Sequence, residues 1–275
     1  MGLPVPSTGG TAVVTGASSG IGAAIARELA ARGHSLMLVA RREERLRSLS
    51  DELVRDHGVD AGIHVADLRR RKARERLYAA LGEEGRFAEI LVNNAGFGSR
   101  GEFISNDVDR MVDMVRLNAE AVVDLTGRFL PGMSNRGRGA IINVASTSAF
   151  QPLPGAAVYA AGKAFVLSFS EAIRTELRGS GVTVTAVCPG PVKTEFGEAA
   201  GMHGVESATP DIVWTDVEHV ARAAVDGAAA DKRVVVPGTL NRVGALAGQH
   251  SPRSLALPLL QRVWGAATNR GHSNG

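Results

Sequence analysis

Residues 11–22, TAVVTGASSGIG, join a short apolar, β-branched run to a glycine-rich turn. A helical pattern follows at once, because Ile21, Ile25 and Leu29 recur on one face and Gly33 suits a C-cap. The glycines permit a tight turn, and the N-terminus of the next helix offers N–H groups to a pyrophosphate. The order of strand, turn and helix therefore predicts a dinucleotide-binding start, spaced G-x-x-x-G-x-G rather than G-x-G-x-x-G.

The second predicted strand, residues 35–40, is followed directly by Arg41 and Arg42. At this point of a dinucleotide-binding fold an acidic residue binds the ribose 2′-hydroxyl, whereas an arginine accommodates a 2′-phosphate. Positions 40–42 hold no carboxylate, so the sequence predicts a preference for NADP(H), with Arg41 as first phosphate partner and Ser18 or Arg42 assisting. The alternative is that both arginines simply open the next helix on its solvent side.

The third and fourth predicted strands also end in suggestive residues. Asp67 and Leu68 follow the strand at 61–65, where the aspartate either caps the next helix or meets an adenine edge together with the Leu68 N–H. The strand at 90–92 runs into Asn-Asn-Ala-Gly at 93–96, a sequence that can hold an unusual turn and leave room for a ribose.

The next predicted helix contains an asparagine, Asn118, among apolar residues such as Val115 and Val122. Asparagine is a poor helix former because its side chain competes for backbone hydrogen bonds. We therefore expect Asn118 to bend the helix locally and to hold a water.

Tyr159 and Lys163 lie four residues apart in a predicted helix, on one face. A phenol has an ordinary pKa of about 10, and an ammonium one turn away favours the phenolate, which makes tyrosine a usable general acid or base. The alternative is a surface helix in which the two side chains are unrelated. Further strands are predicted at 140–144 and 182–187, and the suggestive residues follow strand ends or lie on the next helix, at the edge where doubly wound sheets bind ligands.

Composition narrows the function classes. The 275 residues are 44% hydrophobic, enough for one large α/β domain, and the net charge of +3 comes from 31 basic and 28 acidic residues mixed along the chain. The densest basic run, RRRKAR at 69–74, lacks interleaved aromatics and is interpreted as a solvated helix start, so no nucleic-acid partner is expected. A single cysteine, no signal pattern and no run of about 18 apolar residues predict a cytoplasmic protein, and no histidine spacing indicates a metal.

Taken in order, the chain carries TGASSGIG (15–22), DL (67–68), NNAG (93–96), Asn118, Ser146, YAAGK (159–163) and PGPVKT (189–194). This ordered set resembles the short-chain dehydrogenase/reductase family over about residues 11–240. The resemblance implies an α/β fold with a Rossmann-type, doubly wound parallel sheet of about seven strands in three α/β/α layers. It implies a single domain at 11–240 with a substrate lid at about 191–215, preceded by a flexible lead (1–10) and followed by an extension (241–275).

The resemblance also implies catalytic roles for four residues. Tyr159 would give a proton to a carbonyl oxygen or take it from an alcohol, and Lys163 would lower the pKa of that tyrosine and bind the nicotinamide ribose. Ser146 would orient the substrate oxygen, and Asn118 would position a water that links Lys163 to solvent.

One position departs from the family pattern. Ser146 precedes Tyr159 by 13 residues, the family separation, but the first residue of the usual serine doublet is Ala145. Ser148 is therefore a rival for the catalytic hydroxyl. Cys188 is interpreted as a small packed residue rather than a nucleophile.

The cofactor implied by the resemblance and by the arginines is NADP(H), preferred over NAD(H). The residues expected to bind it lie in the glycine-rich turn, at four further strand ends and in the Tyr-Lys motif. They are Gly16, Ser18, Ser19, Gly20, Ile21, Gly22, Arg41, Arg42, Asp67, Leu68, Asn93, Ala95, Gly96, Tyr159, Lys163, Pro189, Gly190, Val192 and Thr194.

The predicted function is therefore NADP(H)-dependent interconversion of a ketone or aldehyde and an alcohol. Residues 195–215, with Met202, Val205 and Trp214, form a mildly apolar lid sequence, and Phe97, Phe103 and residues 151–154 are candidate pocket walls, so we expect a hydrophobic acyl-, steroid- or lipid-like small-molecule substrate. The alternative is a nucleotide-binding redox sensor or scaffold without turnover. Epimerase chemistry on nucleotide sugars is disfavoured, because the C-terminal part is short.

Two expectations concern partners. The family resemblance implies a homo-oligomer, a dimer or tetramer, formed through two long helices at about 107–130 and 157–178. The tail after Leu240 carries apolar residues beside arginines and is broken by Pro258, so it either packs over the substrate cleft, contacts another subunit or makes weak contact with a membrane surface.

Overall fold

The protein is described here by a computed structural model, which covers residues 2–195, 197, 214–254, 256–258 and 260–261. Within these residues the apolar runs form one sheet of seven parallel strands, with the order β3-β2-β1-β4-β5-β6-β7. The strands are β1 (Gly10–Thr15), β2 (Leu36–Ala40), β3 (Ala61–Val65), β4 (Phe87–Asn93), β5 (Gly139–Val144), β6 (Val182–Val187) and β7 (Val234–Val235).

Helices connect these strands on both faces of the sheet. They are α1 (Gly20–Ala30), α2 (Glu43–His57), α3 (Arg71–Glu83), α4 (Val108–Val115), α5 (Ala121–Asn135), α6 (Ala157–Glu176), α7 (Val217–Ala229) and α8 (Thr239–His250). A π-helical segment, Arg116–Glu120, joins α4 to α5, and single 3₁₀ turns lie at Phe103–Ser105 and Thr147–Phe150.

The core lies in two main layers because side chains alternate across each buried strand. On one face, Val14, Leu38 and Ile142 pack against apolar residues of α1, α2 and α7. On the other face, Val13 and Ile141 pack against α3 and α5. This three-layer arrangement confirms the predicted Rossmann-type fold.

The order of the strands determines where along the sheet a ligand can bind. The chain runs outward from β1 to β2 and β3, then returns to β4 on the other side of β1. The carboxyl ends of β1 and β4 therefore diverge at a topological switch point, where the connections leave a crevice above the sheet. The glycine-rich turn after β1 and the Asn-Asn-Ala-Gly sequence after β4 face each other across this crevice.

Predicted and observed strands differ mainly at β4, which begins at Phe87 rather than Ile90. The apolar pattern is interrupted there by Glu89, which is almost fully buried and is paired with Arg138 (3.1 Å) and with the Ser7 hydroxyl. Ser7 belongs to the predicted lead, in which Leu3 packs against the core and Pro4 is buried, whereas Val5 is exposed. Strand β1 starts at Gly10, one residue earlier than predicted.

The interpretation of RRRKAR as a solvated helix start is wrong for one of its residues. Arg74 is only 1% exposed, and its guanidinium donates to the Leu68 carbonyl (2.8 Å) and to the carboxylates of Asp124 and Glu120. The periodicity of α3 turns this one arginine inward, whereas Arg71 lies on the solvent side. The basic run thus anchors α3 to α5 and to the residue pair after β3.

Parts of the predicted lid and tail lie outside the described residues. These parts are Phe196 and residues 198–213, which include Met202 and Val205, and the tail residues 255, 259 and 262–275. Among the helices that the structure does describe, none combines the length and the apolar character needed to cross a bilayer.

Candidate active site

The glycine-rich turn after β1 forms a cradle that only glycine fits. Gly16 and Gly20 have φ angles of +67° and +53°, a region that disfavours side chains. A Cβ on Gly22 would lie 2.4 Å from the Gly16 carbonyl oxygen, so the turn and the first helical residues touch backbone to backbone. Helix α1 begins with no side chain capping it and no acidic residue in its first turn. These features fit the pyrophosphate of a dinucleotide.

Thr15 and Asn94 tie the ends of β1 and β4 together. The Thr15 hydroxyl donates to the Val92 carbonyl and accepts from the N–H groups of Asn94 and Ala95, each at 3.0 Å. The Asn94 side chain donates to the carbonyls of Thr15 (2.9 Å) and Gly16 (3.3 Å). Neither residue was among the predicted site residues, although the amide doublet of the sequence signalled a held turn.

Asn93, which was predicted to bind the cofactor, directs its side chain into the interior. Its amide donates to Asn143 Oδ1 at 2.8 Å and to the Thr126 hydroxyl at 3.3 Å, and the residue is 4% exposed. The side chain of Asn93 is therefore turned away from the crevice in which a nucleotide is predicted to bind. Ala95 and Gly96 follow in the crevice, and a Cβ on Gly96 would lie 2.9 Å from Asn118 Oδ1.

Arg41 and Arg42 lie at the end of β2, and both are exposed. Arg42 donates to the hydroxyls of Ser18 (3.1 Å) and Ser19 (2.7 Å) in the glycine-rich turn. It also pairs with Glu195 at 2.7 Å. Arg41 forms no hydrogen bond or ion pair with the part of the chain that the structure describes. Arg42 thus contacts Ser18, and Arg41 precedes it in sequence, while the binding of a phosphate by this group stays a prediction.

Asp67 and Leu68 lie at the far side of the crevice, after β3. The Asp67 carboxylate accepts from the Arg69 guanidinium and backbone N–H, and this arginine is the main reason that its pKa lies below the ordinary value. Arg69 also pairs with Asp113 on α4 at 2.6 Å. Leu68 is buried and its carbonyl accepts from Arg74. An adenine edge would meet an aspartate that is already engaged by an arginine.

Ser146, Tyr159 and Lys163 come together at the carboxyl end of β5. The Ser146 hydroxyl forms a hydrogen bond with Tyr159, and it accepts from the Ser148 N–H at 3.1 Å. Lys163 Nζ donates to the Val144 carbonyl at 2.7 Å and lies 5.9 Å from the centroid of the Tyr159 ring. Of the two rival serines, the one with the family spacing is the one whose hydroxyl contacts the tyrosine.

The effect of Lys163 on the tyrosine stays a prediction, because burial is the largest influence on the pKa of each group. Burial raises the pKa of the Tyr159 phenol to about 12, and the hydrogen bond with Ser146 opposes that rise. Burial also lowers the pKa of Lys163 to about 8. Desolvation disfavours the charged form of each group, which moves the pKa of the phenol up and that of the ammonium down.

Asn118 lies in the π-helical segment between α4 and α5, as its predicted disturbance of the helix requires. It is 2% exposed, donates to the Phe97 carbonyl at 2.9 Å and accepts from the Phe97 N–H at 3.1 Å. Asn118 therefore holds the loop after the Asn-Asn-Ala-Gly sequence against the helix. π-Helical turns occur frequently at functional sites.

The turn after β6 closes the crevice from above. A Cβ on Gly20 would lie 3.3 Å from Thr194 Cγ2, so Thr194 lies over the glycine-rich turn. Val192 pairs with Thr215 in an isolated bridge, and a Cβ on Gly190 would lie 2.3 Å from the Asn241 side chain. A cleft of about 690 Å³ opens here, and its lining includes Ser19, Gly20, Thr194, Glu195 and Trp214. Cys188 is fully buried, as expected of a packed residue.

Two loops and helix α8 lie close to the start of α6, the helix that carries Tyr159. The Gly101 N–H donates to the Gly155 carbonyl at 2.9 Å, which joins the loop after Phe97 to the loop before α6. Helix α8 contacts the turn at Thr147–Phe150, and a Cβ on Gly248 would lie 2.9 Å from Gln151 Oε1. The described part of the tail thus packs beside the candidate active site. Phe103, a predicted wall residue, is 65% exposed.

Known proteins resemble this chain in sequence and in structure. The sequence profile of the family described as short chain dehydrogenase matches residues 10–203. A very-long-chain 3-oxoacyl-CoA reductase of Anas platyrhynchos is 38% identical over 70% of this chain, which spans 62% of that longer protein. An NADP-dependent 3-hydroxy acid dehydrogenase of Salmonella typhi is 41% identical over 67% of this chain and 73% of the relative.

A solved structure shows the same architecture. The short-chain dehydrogenase from Sphingobium yanoikuyae in complex with NADPH superposes with a TM-score of 0.78 at 36% identity, covering 86% of this chain and 92% of that one. The profile match, the relatives and this structure agree with the fold. The chain belongs to the short-chain dehydrogenase/reductase family and is an NAD(P)-dependent oxidoreductase of carbonyls and alcohols.

Proposed function

We propose that the protein is an NADP(H)-preferring reductase of hydrophobic ketones or aldehydes in which Tyr159 is the general acid, and the general base in the reverse direction. The observation that carries this proposal is the contact of Tyr159 with the Ser146 hydroxyl beside a buried Lys163. A module that only bound the nucleotide would have no need to desolvate a lysine and a tyrosine together.

The protonation state of the Tyr159 phenol supports reduction of a carbonyl as the direction of the reaction. With a pKa of about 12, the phenol is protonated at neutral pH and can give its proton to a carbonyl oxygen. Ser146 would hold that oxygen through the same hydroxyl that now contacts the phenol. Lys163 would stabilise the phenolate left behind and hydrogen-bond the nicotinamide ribose, and Asn118 would hold a water on the route by which the proton is replaced.

The nucleotide would be held by the glycine cradle, Asn93 to Gly96, the turn from Pro189 to Thr194 and the residues after β2 and β3. When bound there, a nicotinamide dinucleotide supplies the hydride. Preference for the 2′-phosphorylated form is supported by Arg41, Arg42 and Ser18 and by the absence of an acidic residue at positions 40–42. The NADPH complex of the Sphingobium yanoikuyae relative and the NADP-dependent relative of Salmonella typhi support the same preference.

Several features support a hydrophobic substrate. The loop before α6, the helix that carries Tyr159, is joined to the loop after Phe97, and helix α8 contacts the turn at Thr147–Phe150. The relative of Anas platyrhynchos is named for a very-long-chain 3-oxoacyl thioester. We infer a 3-oxoacyl or similarly bulky carbonyl as the substrate class. We also propose a single catalytic domain at 11–240, a cytoplasmic location and a homo-oligomer formed through α4, α5 and α6.

Oxidation of NADPH and of NADH in parallel against a graded panel of carbonyls tests the proposal. The panel runs from small diketones through 3-oxoacyl thioesters to steroid ketones. We expect activity with the large apolar members, faster with NADPH. Binding of NADPH without turnover of any member would favour the sensor or scaffold function.

Tyr159→Phe tests the assigned acid directly. We expect turnover to fall by at least about 100-fold, the contribution typical of a general acid, while NADPH binding is retained. Tyr78→Phe is a matched control, because Tyr78 is the only other tyrosine and packs on Phe129 at the protein surface. Turnover by Tyr159→Phe at the rate of this control would remove Tyr159 from its role.

A further inference from the structure

Glu195 joins three parts of the chain that are distant in sequence. Its carboxylate accepts from Arg42 at 2.7 Å and from Arg45, both on or next to the first turn of α2. It directly follows Thr194, which lies over Gly20 in the glycine-rich turn. Glu195 therefore connects the turn after β6, on one side of the cofactor crevice, to the start of α2 on the other side.

The arginine that Glu195 binds is the one that the glycine-rich turn holds in place. Arg42 donates to the Ser18 and Ser19 hydroxyls in addition to Glu195, so its guanidinium is fixed before any ligand arrives. In the proposed function, on which this inference rests, Arg42 and Ser18 are partners of the adenosine 2′-phosphate. The carboxylate of Glu195 thus occupies donors that such a phosphate requires.

We propose that Glu195 is an internal competitor of the adenosine 2′-phosphate and sets how strongly the protein discriminates NADP(H) from NAD(H). A dinucleotide with the 2′-phosphate has to displace the carboxylate from Arg42, which breaks the bridge that Glu195 forms between Arg42 and Arg45. A dinucleotide without it leaves the bridge between Glu195 and the arginines intact. The residue therefore weakens the binding of NADP(H) and leaves that of NAD(H) unchanged.

The charges of the two competing groups favour replacement of the Glu195 carboxylate by the 2′-phosphate, although the ion pairs of Glu195 are lost. The two arginines hold the pKa of the Glu195 carboxyl near 2, so it carries one full negative charge at neutral pH. A phosphate monoester carries about 1.5 to 2 negative charges at pH 7 and offers three strong acceptor oxygens. The phosphate therefore binds the arginines more strongly than the carboxylate does, but only after the two ion pairs of Glu195 are broken. Both pairs are exposed, so each has a small effect that salt screens.

Two other carboxylates, Glu43 and Glu44, lie in the first turn of α2, and among the described residues neither pairs with Arg42 or Arg45. Glu43 accepts from Arg47 at 2.6 Å, four residues along the same helix, and leaves Arg42 and Arg45 to Glu195. Removing the Glu195 charge should therefore free Arg42 and Arg45 from the carboxylate that pairs with both of them.

Calorimetric titration of Glu195→Gln with NADPH and with NADH tests the proposal. We expect NADPH to bind about two- to fivefold more tightly than to the wild type, as the loss of two exposed ion pairs allows, with NADH affinity unchanged. Glu52→Gln is the matched control, because Glu52 forms an equally short pair with Arg27 farther along α2 (2.6 Å) and should leave both affinities unchanged. Adenosine 2′,5′-bisphosphate against AMP should repeat the difference without the nicotinamide.

The outcomes separate this inference from the function on which it rests. An unchanged ratio of NADPH to NADH affinity in Glu195→Gln, or weaker NADPH binding, would overturn the inference alone, because Glu195 would then be inert or would organise the arginines for the phosphate. Equal tightening of both nucleotides would also overturn it. Failure of the wild-type protein to bind either nucleotide would overturn the proposed function together with the inference.

Discussion

At the scale of single residues, the candidate site is governed by desolvation. Lys163 is 6% exposed, and its ammonium is compensated by one carbonyl and a nearby phenol rather than by a carboxylate. Burial of a charge without an opposite charge is unfavourable, which is why the pKa of this lysine falls to about 8. A residue retained in such a place costs stability, and function is the physical reason to accept that cost.

Replacement of Lys163 by Met should therefore stabilise the protein at neutral pH while abolishing turnover. The folded-state pKa of Lys163, about 8, lies below the unfolded value of 10.5, so the unfolded chain binds the proton more tightly. We expect Lys163→Met to raise the free energy of unfolding by about 1–3 kcal/mol at pH 7, which is the relieved desolvation less one lost hydrogen bond. Urea denaturation measures the difference.

The pH dependence of the free energy of unfolding identifies the cause of the stabilisation by Lys163→Met. Wild-type stability should rise relative to Lys163→Met as the pH increases from about 8 to 10.5, because the folded protein has lost the proton while the unfolded chain still holds it. The difference in the free energy of unfolding between Lys163→Met and the wild type should therefore decrease over this pH range. Lys72→Met, at an exposed position of α3, should show no such change. A difference that does not vary with pH would contradict desolvation as the cause.

At the scale of elements, the strands were predictable because buried parallel strands are short apolar runs. The strands at 61–65 and 182–187 lie where the sequence predicts them. The start of β4 was missed because Glu89 breaks the apolar pattern, and its burial depends on Arg138 and Ser7, which are distant in sequence. The inward turn of Arg74 was missed for the same reason, because its partners lie on α5.

The π-helical segment shows what a single polar residue predicts and what it does not. Asn118 within an apolar helix pattern predicted a local disturbance, and the structure contains one at Arg116–Glu120. No feature of the sequence indicates that the amide binds both backbone groups of Phe97. That contact joins a helix to the loop beside the active site and is a property of the folded chain.

Asn118→Ala should therefore destabilise the protein beyond the loss of one surface contact. The change removes the partners of the Phe97 N–H and C=O at a buried position, so we expect the free energy of unfolding to fall by about 1–3 kcal/mol. Asn106→Ala is the matched control, because Asn106 donates to the Glu102 carbonyl in an exposed loop. Urea denaturation of both variants measures the difference, and equal small losses would contradict the structural role of Asn118.

At the scale of the whole molecule, the site is assembled from strand ends that are far apart in sequence. The sequence could predict that the ends of β1, β2, β4, β5 and β6 meet, because parallel strands in a doubly wound sheet share one carboxyl edge. It could not predict the side chains that cross this edge from one element to another. Glu195 on Arg42 and Asn241 against Gly190 are such contacts, and each depends on backbone positions set by the complete sheet.

Assembly into an oligomer is the largest-scale expectation, and the described surface offers a face for it. Val112 and Val115 on α4 and Phe165 on α6 are more than 40% exposed, and α4 contacts α6. In an isologous dimer a substitution on this face meets its own copy, so Val112→Asp places two like charges close together. We expect the variant to dissociate into monomers at concentrations where the wild type is oligomeric, a loss of at least tenfold in affinity, measured by light scattering after gel filtration. Val54→Asp, at an equally exposed valine of α2, should stay assembled, and dissociation of both variants or of neither would contradict this interface.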